Sequence, residues 1–345
     1  MFDRSTDPTD ASCIPIASLA AAFCAARRGL PDSIMHGDPL RSFALQEELR
    51  IRFGFDSHPF YPFATYGTWE HSAKLGFPSS ELRAEPTRPY YPVQEAKDLD
   101  ALQRPDVRSA GMLPAAMRFS ELQQERGVPV SVVLGGVFTV AANLCGIERL
   151  FRWLIVEPEL AHALLAISRE HLLDVAQHWS SRFGAERVTP IVWEGIANAN
   201  LISLRHCEEF VIPHQRKLHE QILQLGTRGL ICHLCGNQSR HLSLWPQVPM
   251  GPQGIVSLGP EVDLGVARET LENVALMGNV DPELLRLGNP ARVYAATLEC
   301  LARGRGHPAG FILAPGCALQ CELPEANVRA MISAARDAVR ESRRA

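Results

Sequence analysis

The chain has 345 residues, 46% of them hydrophobic, and a formal net charge of −4. This weak negative charge gives no general attraction for nucleic acid, and no apolar run reaches the ~18 residues that a membrane-spanning helix needs. The nine cysteines are odd in number and scattered, and no secretory signal pattern precedes them. We therefore expect a reducing, cytoplasmic setting, in which clustered cysteines bind metals or react.

Short apolar runs alternate with helical patterns along the chain, which is typical of an α/β protein with a parallel sheet. Apolar spacing predicts clear helices over residues 159–179 and 325–343. The predicted strands cover residues 13–17, 60–65 (a weak pattern), 130–134, 188–193, 229–233, 254–258, 274–277 and 310–314. Eight strands predict a (β/α)8 TIM barrel, whose active site lies at the carboxyl ends of the strands.

The domain organisation predicted from this pattern is one barrel domain over residues 1–345, with an N-terminal extension and capping loops. Residues 1–110 match the pattern less well. Within them, residues 78–106 are rich in proline and charge, which predicts an irregular connection or a cap over the barrel mouth. The sequence leaves open whether the chain forms a homodimer.

A His-x-Cys pair, His233 and Cys235, ends the fifth predicted strand, and Cys317 follows the eighth. Residues i and i+2 of an extended segment point to the same side, so His233 and Cys235 can converge on one ion. One imidazole and two thiolates suit a zinc site with three protein ligands and one open position. The alternative is a partly buried histidine beside ordinary core cysteines. Cys232, on the opposite side of the strand, is predicted to point away from the site.

Several segments match a known pattern in order along the chain. They are the glycine-rich turn at 134–141, Ser203 with residues 210–213, the His-x-Cys segment 233–237, and the segments 278–282 and 313–317. Together they resemble the uroporphyrinogen decarboxylase superfamily, and within it the zinc-dependent methylcobamide:coenzyme M-type methyltransferases. The resemblance covers roughly residue 127 to the C-terminus.

This resemblance implies an enzyme that moves a methyl group from a methylated corrinoid (methylcobalamin) to a small thiol such as coenzyme M. It implies Zn²⁺ held by His233, Cys235 and Cys317. The sequence contains no Asp-x-His-x-x-Gly element for binding a corrinoid, so the corrinoid is expected on a separate carrier protein.

The sequence departs from the decarboxylases at two places. Residues 13–19 contain no arginine, and residues 60–68 contain no acid, although the decarboxylases carry such groups for their substrate. A metal-free lyase of the decarboxylase type is therefore disfavoured but stays a candidate. A corrinoid-dependent methyltransferase with a folate acceptor is also compatible with the sequence, as is a scaffold that binds a corrinoid protein without turnover.

Two acids are candidate catalytic residues. Glu194 ends the fourth predicted strand, where it could occupy the open zinc position, steer the thiol or take its proton; the alternative is a hydrogen bond to a barrel loop. Asp263, beyond the sixth strand, could orient His233 by accepting its second ring N–H, or it could cap a helix. Gly259 stands where related enzymes can offer an acid, which leaves the fourth zinc ligand open.

Further candidates surround these positions. Gly135 and Gly136 would allow close approach of a cofactor, or would only permit a tight turn. Asn279 follows the seventh strand at the active-site rim and is a candidate cofactor-binding residue. His241 is a spare candidate ligand, although we expect a surface histidine there.

Overall fold

The computed structural model describes residues 2, 7–10, 13–62, 64–68 and 91–342. Six parallel strands form one sheet, and their order in the sheet follows their order in the chain. The strands are β1 (Val130–Gly135), β2 (Val188–Glu194), β3 (Ile231–Leu234), β4 (Ile255–Leu258), β5 (Ala275–Val280) and β6 (Phe311–Pro315). Six of the eight predicted strands are therefore confirmed, with small differences at their ends.

The two remaining barrel positions are filled by extended segments. Ile16 forms a single parallel bridge with Leu313 of β6, and the Asp56 N–H donates to the Ile16 carbonyl at 2.9 Å. On the other side, the Ala64 N–H donates to the Val133 carbonyl of β1 at 3.0 Å. These contacts join β6 to β1, so the α/β sheet closes into a barrel.

Neither of these segments contains a regular strand among its described residues, and Phe63 lies outside them. The prediction of regular strands over 13–17 and 60–65 was therefore wrong. Proline contributes to the difference, because it cannot donate a hydrogen bond to a neighbouring strand. Strand β2 accommodates Pro190 because this residue lies outside the part of β2 that pairs with β3. Pro15 interrupts the first segment, Pro59 precedes the second, and Pro62 interrupts the second.

Fourteen α-helices occur in the described part of the chain. They are α1 (Ala21–Ala26), α2 (Ser33–Gly37), α3 (Pro39–Phe53), α4 (Ala96–Ala101), α5 (Leu113–Glu125), α6 (Val137–Cys145), α7 (Ile147–Val156), α8 (Pro158–Phe183), α9 (Leu204–His206), α10 (Ile212–Gln224), α11 (Leu264–Thr270), α12 (Pro282–Leu287), α13 (Pro290–Gly304) and α14 (Glu325–Ser342). Short 3₁₀ segments lie at Ala185–Arg187 and Leu242–Gln247, and a π-helical turn at Cys207–Val211.

Helices α8 and α14 confirm the two helices predicted most clearly, although residue 343 lies outside the described residues. None of the described helices combines the length and hydropathy of a membrane span.

Of the segment 78–106, which was predicted to be an irregular connection or a cap, residues 78–90 lie outside the described residues. The rest is less irregular than predicted, because it contains α4 and a buried Val93 whose N–H donates to the Leu144 carbonyl at 3.0 Å.

The apolar core has two layers, which follow from the alternation of side chains along each strand. A small cluster inside the barrel includes Ile191, Trp193 and Ile231, while Cys232 and Leu234 belong to the large cluster between strands and helices. The register pairs His233 with Trp193 on one side and with Ser257 on the other. His233 and its two neighbours therefore lie in one layer, near the carboxyl ends of the strands.

Candidate metal centre

The carboxyl end of β3 carries two of the three proposed ligands. His233 is almost fully buried, and Cys235 follows the strand by one residue. The Cys235 N–H donates to the Glu194 carbonyl at 3.0 Å, which continues the pairing with β2. Gly236 then turns the chain with a φ of +71°, a conformation that favours glycine. Cys232 is buried in the outer core, as predicted from the alternation.

The third proposed ligand, Cys317, lies just beyond β6. The preceding residue, Gly316, donates its N–H to the Val280 carbonyl at 2.8 Å, and a Cβ there would lie 2.7 Å from Pro260 Cδ. A side chain at position 316 would therefore force the loop away. Farther on, Leu319 N–H donates to the Leu19 carbonyl at 2.9 Å. These contacts place Cys317 at the same end of the barrel as Cys235.

The structure brings the three residues together. The ligand atoms of His233, Cys235 and Cys317 all lie within 4.8 Å of one another, and the two Sγ atoms are 3.7 Å apart. Tetrahedral zinc with Zn–S bonds of about 2.3 Å separates its sulfurs by about 3.8 Å. A disulfide would need a separation of about 2.0 Å. The sulfurs are therefore spaced for one shared ion.

The hydrogen bonding of His233 also fits a metal ligand. Its Nδ1 lies 2.9 Å from Ser257 Oγ, whereas its Nε2 is buried without a hydrogen-bond partner. With the proton on Nδ1 and donated to Ser257, the lone pair of Nε2 is free to bind an ion. One nitrogen and two sulfurs form a donor set that zinc favours. The residues present therefore fit a zinc ion.

The two thiols share one hydrogen bond, in which either sulfur can be the donor. This hydrogen bond, and further the neighbouring His233 imidazole, lower the pKa of Cys317. The same hydrogen bond, together with burial, raises the pKa of Cys235. The pair thus holds one thiolate readily, and a bound cation would favour loss of the second proton.

The structure decides between the two roles predicted for Asp263 in favour of the helix cap. Its Oδ1 accepts hydrogen bonds from the N–H groups of Gly265 at 2.7 Å and Val266 at 3.2 Å, so it caps α11. Its Oδ2 pairs with Arg303 at 2.7 Å in a half-exposed position. Asp263 therefore does not orient His233. Ser257 is the residue placed to orient the imidazole, because the strand register puts it directly beside His233.

Glu194 is fully buried, and its carboxylate faces α6. Oε1 accepts from Thr139 Oγ1 at 2.5 Å and from the Ile196 N–H at 3.3 Å, and Oε2 accepts from the Phe138 N–H at 3.2 Å. Burial raises the pKa of Glu194, although these hydrogen bonds oppose the shift. Glu194 is not part of the group of three ligands. Its contacts are those of a residue that fixes α6 and the loop after β2.

The two glycines of the predicted cofactor turn are explained by packing. A Cβ at Gly136 would overlap the Glu194 carboxylate, and one at Gly135 would lie 2.6 Å from Val140 Cγ2. Both positions thus require glycine for the close approach of β1, β2 and α6. Their role in binding a cofactor stays a prediction.

Asn279 connects two loops at the same end of the barrel. Its Nδ2 donates to the Gly259 carbonyl at 2.9 Å and to the Val262 carbonyl at 2.8 Å, which ties the loop after β4 to β5. These contacts account for its amide nitrogen, and contact with a cofactor stays a prediction.

His241 is fully buried, so the expectation of a surface histidine was wrong. It immediately precedes the 3₁₀ segment that contains the buried Trp245, and burial lowers the pKa of His241. It is not part of the ligand group. Among the described residues, no fourth histidine, cysteine or acid completes that group.

The sequence interpretation missed two neighbours of His233. Ser257 Oγ lies within hydrogen-bond distance of His233 Nδ1, and the Trp193 ring lies 4.2 Å from the imidazole, centroid to centroid. Both stand opposite His233 in the strand register. Aligning the inward-facing positions of the predicted strands would have pointed to them.

Comparison with known proteins places this chain in a family. The sequence model of the family described as uroporphyrinogen decarboxylase (URO-D) matches residues 12–338. The chain belongs to the URO-D family. The URO-D match extends across the N-terminal part, where the sequence motifs were weakest.

The relatives within this family include enzymes of two kinds. A methylcobamide:CoM methyltransferase, MtbA, of Methanosarcina acetivorans is 26% identical over 265 residues, which cover 76% of this chain and 74% of MtbA. A uroporphyrinogen decarboxylase of Anaeromyxobacter dehalogenans is 27% identical over 250 residues, 70% of this chain and 68% of the relative. A solved methyltransferase from Methanosarcina mazei superposes with a TM-score of 0.80 at 19% identity, covering 98% and 99% of the two chains. This last likeness confirms the fold.

Proposed function

We propose that this URO-D family protein is a zinc-dependent methyltransferase that moves a methyl group from a methylated corrinoid to a small thiol such as coenzyme M. The observation that carries the proposal is the convergence of His233, Cys235 and Cys317 within 4.8 Å. The similarity to methylcobamide:CoM methyltransferases over about three quarters of the chain supports the same function.

The chain's own residues would prepare the site for a thiol. His233 Nε2, Cys235 Sγ and Cys317 Sγ would hold the ion, and two thiolates would cancel most of its charge. Bound Zn²⁺ would deprotonate an incoming thiol and keep it as a nucleophilic thiolate. Ser257 would fix the tautomer of His233, and Trp193 would keep the layer below the ligands apolar.

The methyl donor would reach the thiolate from the open end of the barrel. All three proposed ligands lie at the carboxyl ends of β3 and β6, where TIM-barrel active sites form. Since the sequence has no Asp-x-His-x-x-Gly element, we propose that a separate carrier protein presents the corrinoid there. We further propose that residues 1–345 form one barrel domain.

A metal-free decarboxylase-type lyase is the second candidate, because two relatives are named uroporphyrinogen decarboxylase. The absence of arginine from residues 13–19 and of acid from residues 60–68 argues against it. A folate acceptor would leave the proposed ion without a thiol to activate. Zinc content therefore separates the thiol methyltransferase from the lyase, and the panel of thiols tests the acceptor.

The deciding experiment combines metal analysis with a transfer assay. The purified protein is analysed for zinc and then mixed with methylcobalamin and a panel of thiols, while the absorption change to Co(I) is followed. We expect about one zinc per chain, transfer that a chelator abolishes, and recovery on adding Zn²⁺. Zinc far below one per chain, or transfer insensitive to the chelator, would contradict the proposal.

Substitution of a ligand gives the first specific prediction. Cys235→Ala should lower zinc content and reduce thiol methylation by at least ~100-fold, because the ion loses one of three protein ligands. Cys13→Ser, at an exposed cysteine in the first barrel segment, is the matched control and should keep both. Equal loss in the two variants would mean that the effect is not specific to the proposed site.

A further inference from the structure

A fully buried glutamine follows the metal-binding turn. Gln238 lies three residues beyond Cys235, and its side chain has no exposed surface. Glutamine is seldom buried so completely unless its amide group is fully paired. The contacts of this carboxamide therefore show what it holds in place.

The Gln238 carboxamide makes three hydrogen bonds. Its Oε1 accepts from the Trp245 indole N–H at 3.3 Å, and its Nε2 donates to the carbonyls of Ala197 at 3.0 Å and Cys235 at 3.3 Å. The amide orientation follows from this set, because an indole only donates and carbonyls only accept. Trp245 is itself buried, so the oxygen end of the amide is anchored.

These hydrogen bonds join two loops at the open end of the barrel. Ala197 belongs to the loop after β2, and Cys235 opens the loop after β3. A second link lies beside them, since the Ala199 N–H donates to the Asn237 carbonyl at 2.8 Å. The Cys235 backbone is thus held at both groups: its N–H donates to Glu194, and its carbonyl accepts from Gln238.

We propose that Gln238 is a positioning residue that fixes the Cys235 backbone so that Sγ faces His233 and Cys317. The inference rests on the zinc-dependent function proposed above. The turn at Gly236 reverses the chain immediately after Cys235, so Gln238 can reach back to the Cys235 carbonyl. Without that hydrogen bond, the peptide after Cys235 could rotate and carry Sγ away from the remaining two ligand atoms.

The test uses Co(II) in place of zinc, because its visible absorption reports ligand geometry. Gln238→Glu keeps the size of the side chain but replaces the donating NH2 by an oxygen that faces two carbonyl oxygens. We expect the Co(II) dissociation constant to rise about 10- to 100-fold and the visible bands to shift or weaken. Gln247→Glu, the same chemical change at an exposed position of the adjacent 3₁₀ segment, should change neither.

A second variant keeps the test valid if Gln238→Glu does not fold. Gln238→Leu removes all three hydrogen bonds without adding a charge, and thermal unfolding of each metal-free variant shows whether it folds. The proposal is overturned if a folded Gln238 variant binds Co(II) with the wild-type constant and spectrum. If neither folds, Trp245→Phe, which removes only the N–H that orients the amide, must shift the cobalt bands, and an unchanged spectrum overturns the proposal.

The same spectra separate this inference from the proposed function. Wild-type protein that shows thiolate-type Co(II) absorption but transfers no methyl group would refute the methyltransferase proposal alone. The positioning role would then be decided by the variants. Wild-type protein without such absorption would overturn both.

Discussion

Ser257 and His233 face each other across β4 and β3, and their hydrogen bond decides which ring nitrogen can bind an ion. The hydroxyl at 2.9 Å occupies Nδ1, so Nε2 is the ring nitrogen left to face an ion, with its lone pair free when Nδ1 carries the proton. Ser257 is fully buried, which shields this hydrogen bond from competition with water. The orientation of the His233 imidazole thus depends on the uncharged hydroxyl of Ser257.

Loss of that hydroxyl should weaken metal binding. Ser257→Ala leaves Nδ1–H unpaired in a buried site, so the imidazole can rotate or change tautomer, and we expect affinity for zinc to fall about 10- to 100-fold. Competition with a chromophoric chelator measures the change. Ser243→Ala, at an exposed position, is the control. Wild-type affinity in Ser257→Ala would exclude a role in orientation.

At the scale of elements, strand β2 and helix α6 pack closely together next to the proposed metal ligands. Glu194 accepts hydrogen bonds from the Thr139 hydroxyl and from the Phe138 N–H in the first turn of α6, and Gly136 leaves room for its carboxylate. A hydrogen-bond acceptor at a helix N-terminus is favourable, because the N–H groups there lack partners within the helix. This arrangement stabilises the turn after β1 independently of any ligand.

We therefore expect Gly136→Ala to destabilise the fold by about 1–3 kcal/mol, since the added methyl group overlaps a buried carboxylate. Urea unfolding of the metal-free protein measures the loss. Gly37→Ala makes a fair comparison, because a Cβ at Gly37 meets nothing within 4 Å and its φ needs no glycine. Similar stabilities for the two variants would show that the turn can relax.

Elements differed in how well the sequence predicted them, for physical reasons. The six strands β1–β6 are mostly apolar, because both faces of a barrel strand are buried. The segments near Pro15 and Pro59 have similar composition, yet proline removes the donors that a regular strand needs. The i, i+2 spacing predicted that His233 and Cys235 share a side. It could not show that Asp263 caps α11, since an acid beyond a strand fits both roles.

At the scale of the whole molecule, several buried histidines tie stability to pH. Burial lowers the pKa of His36 to about 4, of His171 to about 3 and of His219 to about 4. Their ordinary value is 6.5, so the unfolded chain takes up protons first as pH falls. The folded state is therefore at its full stability with respect to these groups above about pH 6.5, where they are neutral, and it loses stability as the pH falls toward about 4.

We expect the free energy of unfolding to fall steeply between about pH 6.5 and about pH 4, each of these histidines contributing at most roughly 3 kcal/mol. Urea unfolding across this range measures the slope. His219→Gln should make it shallower by up to one proton, whereas His206→Gln, at a partly exposed position, should not. An unchanged slope in His219→Gln would show that this residue is not part of the effect.

The closure of the barrel has a dynamic consequence. β3 has a full hydrogen-bonded neighbour on each side, but β6 meets the first segment mainly through the Ile16–Leu313 bridge. Amide protons of this seam should therefore exchange with deuterium sooner than those of β3. An ion shared by Cys235 and Cys317 would connect the end of β3, which pairs on both sides, to the end of β6, which has only a single bridge to the first segment. Loading the site should consequently slow exchange around residues 16–19, many residues away from His233 in the chain.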